Sequence, residues 1–412
     1  MFMKIWIKYL IGLSLGIGIA FVFPQDSNTA SLIIGFLHDA AIRFGKYSLF
    51  PFLFFTAVLG TYKLKESGQL FKTLMITAIF LFLFTFLMSL LGLLSTLILG
   101  SPRVPIFQEE GALSVPLNAS EAFLRILPHN AFLSFAESFF ILPIFIFASL
   151  VGSSCTVDKL NSRPLIALFD SLSRLFYALM AFFVDMFAIA LIAVSAYWMI
   201  EFKTLMMSKT FVRFAVLLFI DFLFVAFVFY PIIIKITCRG ENPYKIMYAA
   251  IAPSVAAFFS GDANVTLNIL FRHLNESLGV RRRITSFVLP IFSSFGRAGS
   301  ALVITVSFLV VMTSYSSLGM QSFQDMSYLV LLSSLLSMCI SHASREGIYI
   351  AVSVICAVYG SGFESAFLII YPAIFLMASI ATVLDALTAL VGTYIVANYC
   401  KMANTREVRF FI

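Results

Sequence analysis

An arginine stands inside an apolar stretch of membrane length. The segment from Ser286 to Leu302, SFVLPIFSSFGRAGSAL, is interrupted by Gly296-Arg297-Ala298-Gly299-Ser300. A charged side chain at bilayer depth costs about 2.5–3.5 kcal/mol on insertion scales, so Arg297 must face protein or a water-filled cavity. The flanking glycines weaken the helix at the same point, and unwound backbone at that depth persists only where it lines a site. Asp385 is a second such charge, in IATVLDALTALVG. It has three open roles: taking up a proton, meeting a substrate amine, or pairing with Arg297. Two small polar tips complete the set, Ser260-Gly261-Asp262-Ala263-Asn264 and Ser341-His342-Ala343-Ser344-Arg345-Glu346-Gly347. Their chemistry is recognition and charge movement rather than bond making. There is no HExxH motif and no paired-carboxylate constellation. The five cysteines are scattered, without a CxxC pair or His/Cys clustering, so the expectation is buried reduced thiols, no metal and no cofactor.

These residues need a membrane scaffold. Of 412 residues, 61% are hydrophobic and 11% charged, more apolar surface than one interior buries, so the chain reads as a polytopic membrane protein whose first partner is the lipid bilayer. Forty-eight phenylalanines suit lipid-facing helices, and a net charge of +7 is accounted for by loops, with no basic domain for nucleic acid. A crossing takes about 20 apolar residues. Runs at 5–23, 31–62, 70–99, 122–153, 164–200 and 210–237 supply them. The longest imply tilt or kinks. The N-terminal run reads as a first membrane helix, because it continues to Phe23 with no small-residue cleavage pattern after it. Lys4 and Lys8, then Lys63, Lys65 and Lys72, then Lys159 and Arg163, then Lys235, Arg239 and Lys245 mark alternate connections. The positive-inside rule assigns these to the cytoplasm together with the KMANTREVR tail, which makes both termini cytoplasmic in a multi-pass cell-membrane protein.

After residue 240 the pattern changes. NPYKIMYAAIAPSVAAFF and VTLNILF flank the first tip, and SYLVLLSSLLSMCI and IYIAVSVICAVY flank the second. No arm is long enough to cross alone, which predicts hairpins that dip into the membrane and return. Each is followed by a long helix, one carrying the Gly296–Ser300 break and one, Phe363 to Cys400, carrying Asp385. A hairpin and helix occurring twice is the layout of an inverted repeat around a midplane site.

At these residues the chain resembles the glutamate transporter family, the dicarboxylate/amino acid:cation symporters. SFVLPIFSSFGRAGSAL is similar to the family's helix-seven stretch, S-F-x-L-P-x-x-A-T-x-N-M-D-G-T-A; SGDANVTL, with Thr266 and Leu267, resembles its serine-rich first hairpin; VGTYIVA, Val391 to Ala397, resembles the end of its helix eight. The likeness extends back to RILPHNAF, Arg125 to Phe132. It implies an all-α fold of eight transmembrane helices and two re-entrant hairpins, assembled as a homotrimer and working as an elevator. Residues 1–69 and 101–205 would form the scaffold, and 70–100 with 206–412 the transport domain.

The departures fall on the family's working positions. Its N-M-D motif becomes Gly296-Arg297-Ala298; its sodium-binding Asp falls on Ala389, its amino-group-binding Asp on Ala378, its carboxylate-binding Arg on Ala381, and its helix-eight Asn on Asp385. Ion sites need converging oxygen ligands, and these exchanges remove them. The resemblance implies substrate contacts from Asp262, Ala263, Asn264, Thr266, Arg297, Ser300, Ser344, Arg345, Gly347, Thr382 and Asp385, with Asp385, Glu346 and His342 as proton carriers. Arg297 is read either as a built-in cation, serving the broken helix or an anionic substrate, or as the partner of Asp385. Arg345 would receive the carboxylate normally met by the missing arginine; His342 and Glu346 would either carry protons or be solvated and idle. Elsewhere, Asp39 with Arg43 and Asp170 with Arg174 are spaced to pair along a helix, and Glu137, Asp185 and Asp221 have no evident local partner. The expected function is secondary transport of a small organic anion, an acidic amino acid or dicarboxylate, proton-coupled or exchanging rather than sodium-coupled. A sensor or uncoupled leak of the same fold is the alternative, and a membrane-embedded enzyme a more distant one.

Overall fold

The computed structural model describes residues 3–22, 28–105, 130, 135, 141–207, 209–238, 240–315, 322–340, 346–360, 362–404 and 406–412. In chain order the helices are α1 (Ile5–Val22), α2 (Asn28–Lys46), α3 (Leu49–Glu66), α4 (Leu70–Leu99), α5 (Ile141–Ser154), α6 (Lys159–Met207), α7 (Val212–Thr237), α8 (Pro243–Ala249), α9 (Ile251–Ser260), α10 (Ala263–Glu276), α11 (Arg282–Phe295), α12 (Ala298–Tyr315), α13 (Phe323–Cys339), α14 (Gly347–Tyr359) and α15 (Ile374–Tyr399). Among the described residues there is no β-strand, only an antiparallel bridge between Val280 and Ala403. Among the described residues, seven helical stretches are long and apolar enough to cross a membrane, and the all-α polytopic expectation holds. The expected run at 122–153 is described without interruption only from Ile141, and the run at 31–62 is two helices joined at Tyr47 and Ser48.

Both arms of each expected hairpin are short helices, and the long helices that follow are the most enclosed in the molecule. In the best apolar window of Arg282–Tyr315, 94% of residues are buried, against 28% for α1 and for α6. A helix apolar on every side belongs in a protein interior or in lipid, and this contrast separates the two cases. The α11–α12 pair and α15 form the centre, while α1 and α6 present their apolar surface outward. Polar ties cross the interior with their groups satisfied: Ser89 meets Thr305 at 2.8 Å, Tyr230 meets Thr388 at 2.5 Å, and Trp198 Nε1 donates to Ser379 Oγ at 2.9 Å.

The cationic connections gather together. Lys4 Nζ lies 3.5 Å from both Tyr248 Oη and the Val408 carbonyl, Thr73 meets Cys400 at 3.7 Å, Lys159 meets Glu66 at 3.3 Å, and Arg281 N–H donates to Met402 O at 3.0 Å. Several pairings differ from the local reading. Asp185 is no lone acid: it bridges Lys8 of α1 and Arg272 of α10, each at 2.9 Å, and Arg272 continues to Glu276 at 3.3 Å. Asp221 accepts from Ser95 at 3.1 Å, and Asp39 meets His38 at 3.1 Å. These partners lie on other helices or on a side chain outside the i, i+4 pattern, where spacing is silent. Asp170 and Arg174 pair at 2.7 Å as their spacing predicts. Cys155, Cys238 and Cys356 are buried, whereas Cys339 is exposed and Cys400 half-buried. Glu137 and the Arg125–Phe132 segment, apart from Asn130, lie outside the described residues.

Candidate charge centre at the helix break

Helix α11 ends where Gly296 N–H bonds the Phe292 carbonyl at 2.8 Å, and α12 begins where Ala301 N–H bonds the Arg297 carbonyl at 3.0 Å. Between them Gly296 and Arg297 leave the helical path. A helix start exposes amide donors and the positive end of the helix dipole. Here Asp385 of α15 answers both. One carboxylate oxygen accepts Ser300 N–H at 3.0 Å, the other accepts Ser300 Oγ–H at 2.7 Å, and Arg297 Nη1 stands 4.0 Å from that second oxygen. The two charged side chains are 11% and 9% exposed, so the pair is enclosed. At 4.0 Å the attraction is Coulombic rather than a direct hydrogen bond. The approach is possible because position 299 is glycine: an added Cβ would lie 2.7 Å from the Ala381 carbonyl oxygen and 2.8 Å from Asp385 N.

The first tip is built by local capping. Gly261 adopts a left-handed turn, φ +59°, that closes α9, and Asp262 caps α10 by accepting Asn264 N–H at 2.8 Å and Val265 N–H at 3.3 Å. Its other oxygen meets Lys46 Nζ at 2.5 Å. Thr266 Oγ–H donates to the Asp262 carbonyl at 2.9 Å, and Ala263 and Asn264 are half-buried beside it. Thr382 Oγ–H is turned back onto the Ala378 carbonyl at 2.7 Å, one turn from Asp385. Of the second tip, Glu346 is exposed at the start of α14 and Gly347 is buried as its first residue; His342, Ser344 and Arg345 lie outside the described residues.

The structure therefore brings Arg297, Ser300 and Asp385 into one cluster and Asp262 with Thr266 into another. Lys46 is the partner that motif reading missed. Its one signal was position, a cation closing an apolar helix three residues before the next begins. We expect Lys46→Met to cost about 1–2 kcal/mol, between the exposed and fully buried extremes for ion pairs. Asp262→Ala should cost about 1 kcal/mol more, because it also removes the cap. Thermal unfolding of both variants would test the order; equal losses would mean that the cap contributes nothing.

The sequence profile of the sodium:dicarboxylate symporter family matches residues 5–399. The chain belongs to the sodium:dicarboxylate symporter family. A serine/threonine transporter, SstT, of Acinetobacter baumannii (strain AYE) is 27% identical over 372 residues, which is 87% of each chain. SstT of Streptococcus thermophilus is 30% identical over 140 residues, 33% of each chain, and an excitatory amino acid transporter of Caenorhabditis elegans is 35% identical over 81 residues, 20% of this chain and 16% of that protein. As a sodium:dicarboxylate symporter family member the chain is a membrane transporter, which removes the enzyme reading. Within that family frame, Ala378, Ala381 and Ala389 are all buried on α15. These three positions, where the resemblance implies ligands, carry methyl groups here.

Proposed function

We propose that the chain is a secondary transporter of a small carboxylate-bearing solute, an acidic amino acid or dicarboxylate, and that it works without bound sodium. The observation that carries this reading is the Arg297–Asp385–Ser300 cluster, which supplies a fixed cation and a compensating carboxylate where the family resemblance places ion ligands. A hard cation needs several oxygens converging on it, and an enclosed guanidinium opposes one. Coupling falls to protons or to exchange, with Asp385 and Glu346 as carriers among the described residues. The relatives' names add serine and threonine to the solutes worth testing. Alternating access moves residues 70–100 and 206–412 against a scaffold of 1–69 and 101–205. The gathering of Lys4, Lys159 and the C-terminal tail with the other basic connections supports cytoplasmic termini. The homotrimer and the elevator motion follow from the family resemblance.

The test is uptake by purified protein in liposomes. Aspartate, glutamate, succinate, serine and threonine are offered under a sodium gradient alone, a proton gradient alone, and with internal substrate for exchange. We expect uptake driven by protons or internal substrate and unchanged when choline replaces sodium. Uptake that requires sodium would overturn the coupling assignment, and binding without any flux would favour a sensor.

A further inference from the structure

A second polar site lies away from the helix break. A cavity of about 590 Å³ opens between α3, α6 and α11, walled by Lys63, Asp170, Arg174, Arg282, Arg283 and Ser286. Four cations face one carboxylate there, and that carboxylate is already engaged: Arg174 holds one Asp170 oxygen through Nη2 at 2.7 Å and Nε at 3.0 Å, and Lys63 Nζ lies 3.4 Å from the other. The cavity thus keeps a surplus of three positive charges, the four cations less Asp170. Arg282 lies over the Tyr177 ring, 3.8 Å from its centroid, which fixes the guanidinium at the wall. Arg283 Nε is buried without a hydrogen-bond partner, and neither Arg282 nor Arg283 has a carboxylate partner among the described residues. An unanswered donor in a charged, roomy cavity calls for an acceptor.

The local fold sharpens the mismatch. Arg281, Arg282 and Arg283 occupy the cap and first turn of α11, with no acidic residue in that turn. Cations there oppose the helix dipole, whereas an anion at the same place is favoured by the dipole and by every arginine together. Lys63 lies in the last turn of α3, so the cavity mouth belongs to the basic end of the bundle, the cytoplasmic end by the positive-inside rule. Basic pockets between membrane helices on that side take phosphate head groups.

We propose that this cavity binds a phosphate-bearing anion, with Arg282 and Arg283 as the principal contacts and Lys63 and Arg174 closing the charge around it. Guanidinium forks match tetrahedral phosphate oxygens better than they match a halide. Two sources carry that chemistry: the head group of an anionic phospholipid and a free phosphate of the cytoplasm. The site is separate from the transported solute and does not rest on the reading of the helix break.

The experiment uses the full chain, delipidated in a neutral detergent. Thermal unfolding is followed with inorganic phosphate, pyrophosphate and chloride at matched ionic strength, and intact-protein mass spectrometry counts adducts after incubation with phosphatidylglycerol or phosphatidylcholine. Stabilisation by phosphate or pyrophosphate beyond chloride identifies the free anion as occupant; retention of phosphatidylglycerol over phosphatidylcholine identifies the lipid. In either case Arg282→Gln/Arg283→Gln should bind at least about tenfold more weakly, while Lys72→Gln/Lys401→Gln, which removes the same charge from exposed positions, should bind as the natural chain does. Arg283→Gln alone provides the comparison if the double variant does not fold, since its Nε gives up no internal bond. Equal response to chloride and to the phosphates, together with equal retention of the two lipids, would overturn the proposal. So would undiminished binding by the folded variants.

Discussion

Arg297→Met should lower the stability of the protein by about 3–5 kcal/mol, the range for removing one partner of an enclosed ion pair. The loss arises from what remains. Asp385 would keep its two bonds from Ser300 but lose the cation at 4.0 Å that offsets its desolvation. Asp385→Asn should cost a similar amount for the mirror reason, leaving Arg297 enclosed without its carboxylate. The double variant Arg297→Met/Asp385→Asn then decides the role of the pair. Neutralising both partners removes the charge imbalance, and the amide oxygen can still accept from Ser300, so most of the lost stability should return. Transport should not return with it. If Arg297 meets the carboxylate of the solute, the refolded double variant remains at least about a hundredfold below the natural chain in uptake, a deficit near 2.7 kcal/mol in solute recognition. Stability comes from thermal unfolding and uptake from liposomes. Recovery of both together would assign the pair to structure alone; recovery of neither would mean that the cluster cannot be rebuilt by charge balance.

This split also measures how far the sequence reached. The break itself was legible, because glycines flanking a charge in an apolar run mark a place where a membrane helix is weakest, and it lies between Phe295 and Ala298. The hairpins were legible through arm length, and Gly261-Asp262 announces its turn and cap by residue type. The Arg297–Asp385 contact joins positions 88 residues apart and was one of several open readings. No periodicity carries such a contact; only the packing of α12 on α15 does. Ser300 was placed in the site by resemblance to a motif, yet its role, closing two bonds onto a carboxylate, is set by that packing. Asp185 shows no local partner in the sequence for the same reason, since its partners lie on α1 and α10. Lys46 was overlooked because a cation ending an apolar helix resembles every other loop cation until the first hairpin is folded against it. Sequence shows where charge must be answered, and helix packing decides by what.

That packing depends on a single missing methyl group. Gly299→Ala should be among the most damaging small substitutions in the chain, costing about 3 kcal/mol, the upper part of the usual range for overpacking. The added Cβ would sit 2.7 Å from the Ala381 carbonyl oxygen and 2.8 Å from Asp385 N, and would press on Leu384 Cβ as well. Two of these neighbours are backbone atoms of a buried helix, so no rotamer change relieves the contact and α12 must draw away from α15. The consequence reaches the charge centre directly. Ser300 follows Gly299, and its bonds to Asp385 at 3.0 and 2.7 Å leave no slack for a helix displaced by a few tenths of an ångström. Gly299→Ala should therefore lose uptake as well as stability, although it alters no charged or hydrogen-bonding side chain. Gly18→Ala in α1 is the matched control, because its Cβ would meet nothing within 4 Å, and it should stay within about 0.5 kcal/mol of the natural chain. Ser300→Ala separates the two effects: it removes one bond to Asp385 while leaving the helices in contact, so it should lose transport at a smaller cost in stability, about 1–3 kcal/mol. A Gly299→Ala protein that unfolds with the natural chain and transports normally would mean that α12 and α15 do not approach this closely, and the charge centre built on their contact would fall with it.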